Sequence, residues 1–277
     1  MDEKNECIHM LKTIFIIIPL FTVSTVVAQN PSLLKLQKSK IFISDHLEYL
    51  EILNDTLLCS SLNSYADTAF YFFNNDTLCI GQTYRETDQT GTKEIERLYD
   101  YKMLKCTADT IILENIFRYF NKPDNWEDTL VLVNIEKQKE PVDNFRALKL
   151  DFFNPWSGEK KIIIDNKGRV TFIDTTTITL DRFLSPDRET KKQLFTGSFT
   201  PEEFIIFKNL LSRSLPSKLP PERNCPMDGA VSNFEIRLGA RTITSTGCTL
   251  SRVHYILLDY LLGLDQNKGI VKKSELH

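Results

Sequence analysis

The sequence predicts an α+β protein: an N-terminal antiparallel β meander, barrel-like or an open sheet, followed by a small α+β domain with two helices. Three observations predict it. Apolar and aromatic runs separated by short Asn/Asp turns fill residues 41–135; helix-start chemistry appears only late, at Thr200-Pro201-Glu202-Glu203; and a polar, proline-bearing stretch, Glu136 to Pro141, separates the two patterns. Strands first and helices afterwards is the α+β order.

The first half is organised around Phe70-Tyr71-Phe72-Phe73-Asn74-Asn75-Asp76-Thr77-Leu78-Cys79-Ile80. Aromatic and β-branched side chains suit a half-buried pleated surface, and Asn and Asp tolerate the angles of a tight turn, so this stretch reads as a hairpin. Asp-Thr recurs at the mouth of an apolar strand in Asp55-Thr56, Asp109-Thr110 and Asp128-Thr129. Leu47 to Leu53 alternates apolar and polar residues, as a strand wet on one face does. Tyr99–Lys105 and Thr110–Asn115 pair about Thr107-Ala108-Asp109, Asn121 to Asn125 is a loop, and Thr129 to Ile135 is a buried strand. The polar span Arg85 to Glu96, with Gly91, is expected to be a solvent loop. Six to eight strands in one run suggest a meander, which closure would relieve of its exposed edges.

In the second half, Arg146–Phe153, Lys160–Ile164 and Arg169–Asp174 read as strands, the last two joined by the turn Asp165-Asn166-Lys167-Gly168. That turn lacks the further spaced oxygens and the distal Glu of a calcium loop. Thr200 is a helix N-cap with Pro at the first helical position and acids at the positive end of the dipole. Phe204, Phe207, Leu210 and Leu211 then share a face, and Pro216, Pro220 and Pro221 end the helix. Val231–Leu238 and Arg241–Thr246 form a hairpin about Gly239-Ala240, and Leu250–Leu262 is a second amphipathic helix with Val253, Ile256, Leu257, Tyr260 and Leu261 as its stripe. This order, with Phe195-Thr196-Gly197 ahead of the Pro-Glu-Glu helix and Asp228-Gly229 after the proline-rich loop, resembles a domain of unknown function common in exported bacterial proteins, over roughly residues 145–264. Members often carry a Cys-Pro pair at the first strand, where this chain has Asn154-Pro155-Trp156. The resemblance implies an exported α+β domain with no assigned activity.

Residues 1–28 read as a signal peptide. Ile14 to Val27 is apolar except for Pro19, Thr22, Ser24 and Thr25, follows Lys12, and ends in Val26-Val27-Ala28, a small-residue cleavage pattern. The run is short for a membrane helix, which needs about 20 apolar residues. Met10 is an alternative initiator, since Met10-Leu11-Lys12 supplies a basic start that Met1-Asp2-Glu3 does not. Domains are then expected at 29–140 (β) and 141–265 (α+β), with 266–277 a flexible tail. The product is expected to be periplasmic or extracellular, without a membrane span after cleavage.

Charge and cysteines narrow the partners. With 34 Lys+Arg against 37 Asp+Glu the net charge is -3, too near neutral to draw a nucleic acid by bulk attraction. Cleavage leaves Cys59, Cys79, Cys106, Cys225 and Cys248, an odd number. Cys225 and Cys248 are the expected disulfide, because each adjoins a turn and they flank one hairpin; five buried free thiols is the alternative.

Catalytic patterns are absent from the sequence. There is no Gly-x-Ser-x-Gly elbow, no phosphate-binding glycine cluster, and no paired metal-ligand spacing that would join Cys225, Cys248 and His254 in a zinc site. His46 beside Asp45 reads as a surface pair, His254 as a helix-packed imidazole, and His277 as a terminal residue. Aromatics carry the one functional hint: Tyr71, Phe73, Tyr84, Tyr99 and Tyr101, with Trp126 and Trp156, could line a barrel mouth or an exposed patch, and core packing would produce the same pattern. The expectation is a non-enzymatic exported protein with a binding or envelope-structural role, no cofactor or metal, and an unknown protein or small apolar ligand as partner. The alternatives are a lipocalin-like carrier and a hydrolase with an unrecognised carboxylate pair.

Overall fold

The computed structural model describes residues 38–62, 68–88, 91–116, 128–178, 189–221, 225, 229–248, 250–266 and 269–276. The expected signal segment, Trp126, His277 and the loop 121–125 lie outside them. Eight strands, β1 Ile41–Ile43, β2 Tyr49–Ile52, β3 Leu57–Ser60, β4 Thr68–Asn74, β5 Thr77–Asp88, β6 Gly91–Cys106, β7 Thr110–Asn115 and β8 Thr129–Asn134, run as a meander. The meander closes: β1 pairs antiparallel with β8 through Phe42↔Asn134 and Ile43↔Val133, so no barrel edge is left unpaired. After a one-turn helix α1, Ile135–Gln138, come β9 Phe145–Asn154, β10 Gly158–Asp165, β11 Arg169–Ile178, β12 Glu189–Ser198, helix α2 Pro201–Arg213, β13 Val231–Leu238, β14 Arg241–Gly247, helix α3 Arg252–Leu262 and β15 Ile270–Leu276. These strands make one seven-stranded antiparallel sheet, ordered β14-β13-β9-β10-β11-β12-β15.

Turn chemistry explains the hairpins. Asn75 takes φ 55°, a left-handed conformation that Asn tolerates, between β4 and β5. Asn54 Oδ1 accepts from the N–H groups of Thr56 and Leu57 at 2.9 Å each, and Asp165 Oδ1 accepts from those of Lys167 and Arg169, with Gly168 at φ 74° completing the bend. The pairs Asp55-Thr56, Asp76-Thr77, Asp109-Thr110 and Asp128-Thr129 stand at or just before a strand start, those of β3, β5, β7 and β8. Helix α2 begins with a capping box, Thr200 and Glu203 satisfying each other's backbone N–H groups.

Two cores result. Inside the barrel Phe42, Leu50, Leu58, Leu78, Ile80, Ile111, Leu113 and Leu132 join the tyrosines discussed below in one cluster. In the second unit the inward residues of the sheet, among them Leu148, Leu150, Ile162, Phe172 and Ile236, pack under Phe207 and Leu211 of α2 and Leu257, Leu258 and Leu261 of α3. Phe199, Phe204 and Phe207 stack with centroids 5.7–6.2 Å apart, the offset geometry that aromatic rings favour.

The α+β expectation is met in part. Among the described residues the chain is mostly antiparallel β; the second unit carries the two expected helices, with one-turn α1 ahead of it, and is dominated by sheet. Three expectations are corrected. Arg85–Asp88 and Gly91–Glu96 are strand, not loop: β5 and β6 pair from Thr77↔Lys102 out to Asp88↔Gly91. Ladder hydrogen bonds are made by backbone, so a ribbon of polar residues holds them without an apolar pattern. For the same reason residues 189–198, without a strand assignment in the sequence, form β12, and the expected tail supplies β15, paired with β12 from Lys192↔Leu276 to Gly197↔Ile270. Leu47 is not in a strand; it turns at φ 66° ahead of β2.

Candidate functional site

Four places bear on function, and the barrel interior is the first. Strand alternation turns Ala69, Tyr71 and Phe73 of β4 inward, with Tyr99, Tyr101 and Met103 of β6. Tyr71, Tyr99 and Tyr101 are at most 3% exposed, and Phe73 packs edge-on against Tyr71 with centroids 6.1 Å apart. Phenol groups are satisfied by the protein itself: Tyr71 donates to the Asn54 carbonyl at 2.9 Å and Tyr101 to the Leu62 carbonyl at 3.0 Å. Burial, then the nearby Asp55 charge, raises the Tyr71 phenol above its ordinary range. Of the ligand-facing aromatics the sequence named, these four are therefore brought together, as members of a packed core. Tyr84 belongs to β5 in a stretch described only by its backbone.

The second place is the seam between the two units. Ile43, Tyr49 and Cys59 on the outer wall of β1–β3 meet Val253 of α3, Leu215 after α2, and Ile135 of α1. Helix α3 is thus apolar on two sides, one for the sheet and one for the barrel. Leu215 reaches the seam from a left-handed backbone, φ 48°, a conformation that costs a non-glycine residue about 1–2 kcal/mol and is held by its surroundings. Polar ties rim the seam: Gln138 Nε2 donates to the Ile43 carbonyl at 3.1 Å, Arg213 pairs with Glu136, Ser217 N–H donates to Glu140, and Lys218 reaches Asp45 at 3.4 Å. Asp45 and His46 therefore lie in an exposed turn, and Asp45 serves Lys218.

Beside the seam lie two buried titratable groups, His254 and Tyr49. His254 is 1% exposed; its Nδ1 stands 2.8 Å from Ser251 Oγ, and its Nε2 faces the Ser214 and Leu215 backbone without a well-formed hydrogen bond. Burial pushes its pKa down to about 4, against the smaller upward pull of those backbone groups. It is a neutral, helix-packed imidazole at pH 7. Tyr49 donates to Glu51 at 2.5 Å, and burial followed by that carboxylate drives its phenol far upward. Such groups stay in one protonation state near neutrality, which suits a fixed contact better than proton transfer.

The third place is a thiol pair. Cys59, Cys79 and Cys106 are buried; burial first, then a hydrogen bond to Asp100, pushes the Cys79 thiol up to about 11, and burial does the same to Cys106. Cys225 and Cys248, the expected disulfide, are not at bonding distance. They are nonetheless neighbours, half-buried, with the Cys225 side chain hydrogen-bonded to Cys248, which raises its pKa. Among the described residues no group of three His, Cys, Asp or Glu side chains is placed to hold a metal.

The fourth place is the sheet face away from the helices. Strand parity turns Lys149, Asp151 and Phe153 of β9, Glu159, Lys161 and Ile163 of β10, and Asn233, Glu235 and Arg237 of β13 to that side. Phe153 is 48% exposed, Ile163 45%, and Trp156 at the adjoining β9–β10 turn 65%. Ion pairs cross the floor, Lys149–Asp151 at 2.8 Å and Lys161–Glu159 at 3.0 Å, with Arg237 on Glu235. A shallow groove of about 210 Å³ runs between Lys149, Asp151, Asn233, Glu235, Thr244 and Thr246, and Asp151 Oδ1 lies in it buried and without a hydrogen bond. A larger groove, about 470 Å³, lies across β10–β12 beside Ile163, Arg169 and Thr196. Sequence reasoning singled out Trp156 here but not Phe153, whose signal was an aromatic on the same parity as Lys149 and Asp151.

No protein-family model matches this sequence, and a search of curated proteins returns no match. Among the described residues no helix is long and apolar enough to cross a membrane.

Proposed function

We propose that the protein is exported and non-enzymatic, acting by binding or as a structural element of the envelope, with the helix-free face of the second sheet as its contact surface. The observation that carries this reading is the exposure of Phe153, on the face whose groove contains an unsatisfied carboxylate oxygen, and of Trp156 at the adjoining turn. Exposed aromatics next to unpaired polar groups are what a binding surface offers, an apolar anchor and a hydrogen-bonding rim. The barrel supports the reading from the other side. Its interior is occupied by its own side chains, which weighs against the carrier alternative, and its inward face is apolar where a membrane barrel's is polar. Asp151 and Glu235 are two carboxylates that share a groove, but each is ion-paired, to Lys149 and Arg237, a state that favours holding a polar ligand over acid–base work. Export rests on the apolar leader and on the resemblance of residues 145–264 to exported domains.

The test is co-sedimentation of the purified protein with an envelope fraction of the cells that produce it. Pelleting that is lost in a Phe153→Ser, Trp156→Ser double variant and retained in Phe72→Ser, an exposed aromatic on the barrel, supports the reading. A wild type that stays in the supernatant, or two variants that pellet alike, overturns it. Mass spectrometry of the mature product is expected to find Gln29 at its N-terminus and no co-purifying apolar ligand.

A further inference from the structure

We propose that Cys225 and Cys248 are a reversible redox pair, a site of thiol–disulfide exchange whose oxidation joins the segment following α2 to the end of β14. The proposal is independent of the binding surface described above. Its basis is a juxtaposition that the fold enforces from two directions. Ser232↔Gly247 is the last rung of the β13–β14 ladder, so the residue after β14, Cys248, emerges beside the chain that leads into β13. That incoming chain is tied down in turn: Ser245 Oγ of β14 donates to the Pro220 carbonyl at 2.5 Å. Between these two fastenings the Cys225 side chain meets Cys248 and hydrogen-bonds to it.

Accessibility sets the pair apart. The other three described cysteines are buried in the barrel wall, beyond the reach of a dissolved disulfide, whereas Cys225 and Cys248 are half-exposed. A pair of adjacent, reachable thiols is suited to thiol–disulfide exchange. One thiolate attacks a sulfur of a small disulfide oxidant, forming a mixed disulfide and expelling one thiolate. The second cysteine, deprotonated, attacks the protein sulfur of that mixed disulfide and expels the other. Two cysteine thiols are oxidised, one oxidant disulfide is reduced to two thiols, and the two protons pass through solvent to the leaving groups. Because the hydrogen bond between the thiols raises the Cys225 pKa, exchange is slow at neutral pH and quickens as pH rises toward 9.

The bond would not be remote from the rest of the molecule. The tethered segment starts at the 3-10 turn Pro216–Lys218, whose Ser217 holds Glu140 of the inter-unit connection and whose Lys218 holds Asp45 of the barrel. Cys248 leads directly into α3, which packs on both cores.

Folded, fully reduced protein treated with oxidised glutathione, alkylated and digested decides the matter. The expected product has lost two alkylatable thiols and two hydrogens of mass, carries no glutathione, and yields one linked pair of peptides containing Cys225 and Cys248. Cys59, Cys79 and Cys106 remain reduced and react with the alkylating agent only after denaturation, and dithiothreitol restores the starting mass. In Cys225→Ser, whose circular dichroism is checked against wild type, Cys248 is expected to retain glutathione as a stable adduct because the resolving thiol is gone. A wild type that accumulates glutathione adducts without the internal bond overturns the proposal, as does one that stays reduced or links any other pair.

Discussion

The barrel and the second sheet are built from nearly the same number of antiparallel strands with the same inside-out alternation, yet they end in opposite conditions. The barrel closes by pairing β1 with β8, so its apolar side faces only itself and its ladder has no free edge. The sheet stays open, with β14 and β15 at its margins, and must bury its apolar side under α2 and α3. Helices cover one face only. The difference teaches where this molecule has surface to spare: closure uses a sheet's apolar face to fill a cylinder, whereas an open sheet covered on one side leaves the other side to partners or solvent.

The sharpest way to break the comparison is to damage the core that depends on helices. Phe207→Ala removes a ring fully buried against Phe145 and Phe199 and is expected to destabilise the second unit by about 3–5 kcal/mol, measured by denaturant unfolding. If the barrel is held through the seam, its unfolding midpoint falls as well; an unchanged barrel transition would show that the units stand apart.

Acid tests the seam itself. The His254 pKa is about 4 in the folded protein against 6.5 in the unfolded chain, so the unfolded state binds more protons in that window. Stability is fully present above pH 6.5 and falls by about 3 kcal/mol on going to pH 4, a loss that His254→Gln should remove from the pH profile.

Smaller changes sharpen the contrast. Thr200→Ala breaks the α2 capping box and should cost about 1 kcal/mol in thermal or denaturant melts, with the barrel unaffected. The Phe153→Ser, Trp156→Ser variant should stay within about 0.5 kcal/mol of wild type per position, since both side chains are already largely in solvent. A large destabilisation there would mean that the face is structural.

Much of this architecture is legible in local chemistry. The turn at Asn75, the bend Asp165 to Gly168, the box Thr200–Glu203 and the hairpin at Gly239, φ 57°, are all decided within four residues of sequence, and all stand where those residues place them. The inward tyrosines follow from parity. What escaped was whatever depends on backbone pairing with a distant partner. Residues 85–96 are polar and read as loop, β12 becomes a strand by lying against β11, and β15 by lying against β12. Phe70 gives the same lesson in packing: its ring lies over Gly81, where an added Cβ would come within 1.9 Å of it, a fit between strands that neither stretch announces alone.

By itself the sequence determined the alternation of strands, the positions of their turns, the cap of α2 and the apolar stripes of both long helices, because each depends on the intrinsic geometry of a few consecutive residues. Only the tertiary structure decided that the meander closes, that α3 is shared between two cores, that Cys225 meets Cys248, and that Phe153 stands in solvent. Those outcomes turn on which surfaces remain to be covered once every strand has found its neighbour, and that is a property of the assembled chain.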